Sequence, residues 1–198
     1  GRWFWKQFSQ RTIQFYFKDL VIIGQPEMRS DASTFLISNH VSWWDGFWAL
    51  EVNRRLWQKS YYVMMLEEQL KERQFLRYAG AFSVKQGHRS VLQSIAHSVE
   101  LLGDPGNLLQ IFPQGRIHSL YEHPANTAFS NGTTHILKKV KVPVQVIFSV
   151  SLIDYFSTPR PVLYYYLEEF DYTKGTSLEE AYLNFYQRSV AQQVQKGE

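Results

Sequence analysis

The sequence predicts an α/β fold in a single domain. Short apolar strands alternate with helical stretches along most of the chain, the arrangement expected when helices cover a sheet. The 198 residues suffice for one compact core and would crowd two. No internal repeat, low-complexity block or linker interrupts the alternation.

The elements follow in order. Residues 2–18 (RWFWKQFSQRTIQFYFK) mix aromatics with Arg2, Lys6, Arg11 and Lys18 and hold no acid. A basic, aromatic helix of this kind lies flat in a lipid interface or packs its rings on the domain. Leu20 to Ile23 is a short strand, broken by Gln25-Pro26. Thr34 to Ser38 is a second strand, and Gly46 to Leu56 reads as a helix. Tyr61 to Leu66 is a buried strand, followed by a charged helix from Glu67 to Tyr78 and a strand from Gly80 to Val84. Ser90 can cap the next helix, which carries Val91, Leu92, Ile95, Val99 and Leu102 on one face and stops at Gly103. Leu108 to Phe112 is a strand after the Asp104-Pro105-Gly106 turn, and Thr133 to Lys139 is helical. Val144 to Leu152 and Val162 to Leu167 are strands. Ser177-Leu178-Glu179-Glu180 is a capping box that opens the last helix. Residues 1–28 are expected to form an amphipathic N-terminal segment and residues 29–198 the main domain.

Composition narrows the function. The formal charge of +3 is too mild for the dense basic stripe of a nucleic-acid binder, but it suits weak attraction to an anionic membrane. The aromatic share of 16% exceeds what a core of this size needs, and points to a groove or a membrane boundary. With no cysteine, disulfides, a thiol nucleophile and a cysteine zinc site are excluded, and the cytosol is a comfortable compartment. No apolar run reaches the roughly 20 residues that span a bilayer, and the start does not read as a signal peptide.

Two polar motifs sit where strands are expected to end, the place where α/β sheets bind ligands. The first is Asn39-His40 with Asp45. An imidazole with an ordinary pKa of about 6.5 takes a proton from a hydroxyl near neutral pH, and a carboxylate on its other nitrogen fixes the tautomer. A spacing of five works if His40 lies in the loop and Asp45 starts the helix. On spacing alone, the plain reading makes Asp45 a helix cap and His40 an ordinary loop residue. The second motif is Phe112-Pro113-Gln114-Gly115-Arg116. Its glycine permits a tight turn with backbone N–H groups suited to an anion or oxyanion, and Arg116 offers a forked cation. Taken alone, it reads as a strand-end turn with a surface arginine.

Together the motifs carry a resemblance. Ser38 to Asp45 resembles the Asn-His-x4-Asp signature of the lysophospholipid acyltransferase family, which includes bacterial 1-acylglycerol-3-phosphate acyltransferases. Phe112 to Arg116 resembles the family's Phe-Pro-Glu-Gly block. Gly80-Ala81-Phe82-Ser83-Val84-Lys85 resembles its Gly-led strand ending in a base, Phe129 to Gly132 its Phe-x-x-Gly, and Val142-Pro143-Val144 its Val-Pro-Val. The matches run in order from about Thr34 to Ile147.

The resemblance implies a mixed central sheet flanked by helices, as in glycerol-phosphate acyltransferases. It implies an O-acyltransferase in which His40 is the general base and Asp45 orients it. An acceptor hydroxyl then attacks an acyl thioester carried by coenzyme A or acyl carrier protein. Asn39, Lys85, Phe112, Pro113, Gln114, Gly115 and Arg116 are the implied substrate-binding residues. The implied partners are that donor, a lipid acceptor and a membrane surface, with no cofactor, metal or nucleic acid. The chain departs from the pattern at Gln114, where the family has Glu; at Lys85, where Arg is usual; at Arg116, which stands one place early; and at Glu67-Glu68, where relatives carry Lys. These changes favour other hydroxylated acceptors beside lysophosphatidic acid, including non-phosphate or pigment lipids. A silent lipid-binding protein and a hydrolase acting on water are the readings from other classes.

Among the remaining residues, His118 reads as a solvated loop histidine. His88, His97, His123 and His135 share no metal-ligand spacing. Trp43 and Trp44 wall an acyl channel or pack the core.

Overall fold

A computed structural model of the chain describes residues 2–84, 88–122 and 129–196. In chain order, helix α1 (Arg2–Tyr16) leads to strands β1 (Asp19–Ile23) and β2 (Ser33–Ser38), then helix α2 (Asp45–Leu56) and strand β3 (Ser60–Leu66). Helix α3 (Glu67–Glu72), a 3-10 helix (Gln74–Ala79), strand β4 (Ala81–Val84), helix α4 (His88–Leu102) and strand β5 (Asn107–Ile111) follow. The chain closes with α5 (Asn131–Lys139), β6 (Val144–Asp154), β7 (Val162–Phe170) and α6 (Leu178–Val194).

The strands form one sheet in the order β1-β7-β6-β2-β5-β3-β4. The β6–β7 pair is antiparallel and every other pair is parallel, so the sheet is mixed, as expected. Sheet residues lie on both sides of position 28, because β1 pairs with β7.

β2 sits in the middle and is buried along its whole length. Successive side chains of a strand face opposite sides, and β2 divides the core accordingly. Leu36 joins the layer under α1 and α2, with Phe47, Trp48 and Leu163. Phe35 and Ile37 join the layer under α4, α5 and α6, with Ile95, Ile136 and Tyr182.

Two expected elements differ in detail. The single helix from Glu67 to Tyr78 is broken at Arg73, whose backbone leaves the helical region (φ −131°, ψ 54°) and whose guanidinium lies over the Trp43 ring at 5.8 Å. The 3-10 helix then ends on Gly80 at φ +105°, where an added Cβ would stand 2.1 Å from the Tyr61 carbonyl oxygen. That closeness demands glycine, whatever the chain's helical propensity. Helix α4 begins at His88, so Ser90 falls within its first turn rather than before it. The capping role of Ser177 holds: its Oγ accepts from the Glu180 N–H.

Helix α1 shows a packing face. Ile13 and Ser9 are buried, and Trp5 and Phe8 lie against Phe47 of α2. Its other side exposes Phe4, Phe15 and Tyr16. No helix among the described residues is long and apolar enough to cross a membrane.

Candidate active site

β2 ends at Ser38, and the chain turns through residues 39–44 before α2 begins. His40 lies in that turn and Asp45 opens the helix. The N-cap position belongs to Trp44, which makes no side-chain cap. Asp45 is therefore released from capping, and its carboxylate folds back over the turn. Oδ2 accepts from His40 Nδ1 at 2.9 Å and from the backbone N–H groups of Val41 and Ser42 at 2.7 and 2.9 Å. Burial raises the Asp45 pKa above the usual carboxylate value, while the hydrogen bonds from His40, Ser42 and Val41 oppose that rise. A carboxylate accepting from Nδ1 requires the proton on Nδ1, which leaves Nε2 with its lone pair free to take a proton. The His40 ring is stacked on Phe112, with centroids 4.2 Å apart.

The residues around His40 are tied to the sheet. The fully buried Asn39 donates from Nδ2 to the Ser151 carbonyl at 3.1 Å and accepts the Ser151 N–H at 2.8 Å. Both ends of its amide are thus spent on β6, where they hold the turn. Below it a buried polar chain crosses the sheet. Tyr61 donates to Gln110, Gln110 donates to Ser38 at 2.9 Å, and Ser38 and Ser149 share a hydrogen bond of 2.6 Å. Tyr165 and Tyr182 bond Ser149 at 3.3 and 3.0 Å. Burial pushes these three tyrosines well up from the phenol range, so they remain protonated donors. Sequence reading missed this chain, although a glutamine in the apolar strand NLLQI and the alternating Ser149 and Ser151 were its signal.

The second motif forms a turn after β5. The Gly115 N–H donates to the Phe112 carbonyl at 3.0 Å, and Gly115 adopts φ +68° with open space where a Cβ would stand. That N–H is spent within the turn and is not offered to an oxyanion. Arg116 also departs from expectation. It is solvent-exposed and pairs with Glu122 at 2.6 Å, whereas the next side chain, Ile117, lines the cleft described below. Gln114 keeps Oε1 buried without a partner. Lys85 and His123 lie outside the described residues.

His118 is 3% exposed, not a solvated loop residue. Its backbone N–H donates to the His40 carbonyl at 2.9 Å, and Nδ1 faces the Arg116 carbonyl at 3.5 Å. Burial lowers its pKa, against the opposing pull of the Arg116 carbonyl and the Glu122 carboxylate.

A cleft of about 440 Å³ opens beside His40. Met65 and Leu66 at the end of β3, Val91 and Ile95 of α4, and Ile136 of α5 give it an apolar wall. Trp43, Phe112, Pro113, Gly115 and Arg73 also line it. Trp44 turns instead toward the core beside Phe47 and Tyr16. Among the described residues, no group of three His, Asp or Glu is placed to hold a metal ion.

Comparison with known proteins adds to this geometry. Comparison with curated proteins gives no match. The crystal structure of the 1-acyl-sn-glycerophosphate (LPA) acyltransferase PlsC from Thermotoga maritima is similar to this chain with a TM-score of 0.59. The match has 19% sequence identity and covers 97% of this chain and 78% of that one, a likeness of fold. The model of the family described as Acyltransferase matches residues 20–150, a span that holds both motifs and the first six strands through most of β6. The chain belongs to the acyltransferase family.

Proposed function

We propose that the protein transfers a fatty acyl group from a thioester, on coenzyme A or acyl carrier protein, to a hydroxyl of a lysophospholipid or related lipid. The observation that carries this is the His40–Asp45 hydrogen bond of 2.9 Å on the rim of an apolar cleft. His40 Nε2 takes the proton of the acceptor hydroxyl as its oxygen forms a bond to the thioester carbon. The carbon–sulfur bond then breaks, and the proton passes from His40 to the leaving thiolate. Asp45 holds the imidazole in the required tautomer and balances its charge while it is protonated. The cleft wall of Met65, Leu66, Val91, Ile95 and Ile136 suits the acyl chain.

A membrane surface supplies both lipids in this reading. The exposed Phe4, Phe15 and Tyr16 of α1, together with Phe75 and Tyr78, offer an aromatic face for peripheral attachment on the cytoplasmic side. A second acceptor class is favoured by one observation: Arg116 is paired with Glu122 away from the cleft lining, which weakens the case for a phosphate-bearing acceptor. Mass spectrometry of products from acyl-CoA and acyl-ACP against lysophosphatidic acid, neutral monoacylglycerol and a glycolipid tests both. An acylated product that requires an acceptor supports transfer. Free fatty acid formed regardless of acceptor contradicts it.

A further inference from the structure

The reaction needs a partner for the negative charge that develops on the thioester oxygen, and the Gly115 N–H is already committed to Phe112. The same cleft contains another polar station. Ser130, Gly132 and Thr133, at the start of α5, line it together with His40. Ser130 caps the helix by accepting the Gly132 N–H at 3.2 Å. The helix start carries a positive partial charge of about half a unit. Thr133 is 1% exposed, and its hydroxyl has no hydrogen-bond partner. A helical threonine often turns its hydroxyl back onto a carbonyl one turn earlier. Thr133 does not, so a residue that lines the cleft keeps a buried hydroxyl without a partner.

The placement fits the chemistry. His40 stacks on Phe112 at 4.2 Å, Pro113 follows in sequence, and the Pro113 carbonyl accepts the Ser130 N–H at 2.9 Å. Two contacts therefore connect the base to the helix start. An attacking oxygen stands about 3 Å from its base and about 3 Å from the carbonyl carbon. The oxyanion then forms roughly 5–7 Å from His40, and its donor stands within roughly 9 Å.

We propose that the first turn of α5, with the Thr133 hydroxyl, is the oxyanion subsite of the acyl-transfer step. This rests on the acyl-transfer reading above. Thr133 donates its O–H to the thioester oxygen as the carbonyl becomes tetrahedral, and the helix start stabilises the charge until the thiolate leaves. Thr133 is then a catalytic residue and Ser130 a positioning one.

The test compares wild type, Thr133→Val and Thr133→Ser, with palmitoyl-CoA or palmitoyl-ACP as donor and a lysolipid acceptor. Valine matches threonine in shape, and loss of an unpartnered hydroxyl does not destabilise the fold; melting curves check this. Thr133→Val is expected to lower kcat about 100-fold, with both KM values within about twofold of wild type. Thr133→Ser is expected to keep most of the rate. An unchanged kcat in Thr133→Val overturns the subsite. So does a change confined to the acceptor KM, the mark of a ground-state phosphate contact. If wild type itself transfers no acyl group to any acceptor, the underlying reading fails, and the subsite with it.

Discussion

The two turns that follow β2 and β5 differ in how completely they are bonded. The turn of residues 39–45 is closed. Asn39 is bonded at both ends of its amide, and Asp45 Oδ2 takes three donors. The turn of residues 112–118 is bonded at its ends, through Pro113 to Ser130 and His118 to His40, and within by the single Gly115–Phe112 backbone bond. Between them Gly115, Arg116 and Ile117 face solvent or the cleft. A base must be held to a fraction of an ångström, whereas a surface that receives a substrate must leave space. Under the proposed function, the first turn thus serves the chemistry and the second leaves room for the substrate.

The largest expected effect breaks the closed turn. Asp45→Asn offers an amide N–H where His40 Nδ1 now donates, and favours the wrong tautomer. A kcat loss of about 10³-fold is expected, with a smaller change in KM, checked by steady-state kinetics. A loss below about tenfold would remove the orienting role of Asp45. In the open turn, Gly115→Ala tests backbone and not contact. Nothing stands within 4 Å of the added Cβ, but φ +68° is strained for alanine. Denaturant unfolding should show a loss of about 1–2 kcal/mol.

His118 sharpens the boundary between the turns. Its pKa is lowered by burial, so the unfolded chain binds the proton more readily than the folded one. This contribution to stability is full above the unfolded value of about 6.5 and is lost as pH falls toward the lowered folded value. The melting temperature of wild type should drop across that window, and His118→Gln should drop less. Parallel curves would mean that His118 is not held neutral by the fold. The smallest effect belongs to Arg116→Ala. Its exposed pair with Glu122 is worth less than about 1 kcal/mol, and the residue is absent from the cleft lining. Turnover should change less than about threefold. A large rise in the acceptor KM would return Arg116 to substrate binding.

These particulars mark what the sequence could convey. Strand periodicity and the Asn39–Asp45 spacing are local signals, and they placed β2, α2 and the loop position of His40 within a residue or two. Features fixed by distant neighbours were not legible. The Arg73 guanidinium at the helix break lies over Trp43, and a Cβ at the left-handed Gly80 would meet the Tyr61 carbonyl. The burial of His118 depends on a main-chain bond to His40, and the outward turn of Arg116 on Glu122. The buried chain from Tyr61 to Tyr182 joins residues from five strands and a helix, which no local window contains.

The central claim is that His40, held by Asp45, removes the acceptor proton. It is tested most directly by acceptor-dependent thioester cleavage in His40→Ala, with folding confirmed by circular dichroism. A fall of at least about 100-fold is expected, since general base catalysis contributes about 10²–10⁴-fold. A folded His40→Ala protein that cleaves the thioester at the wild-type rate would contradict the account.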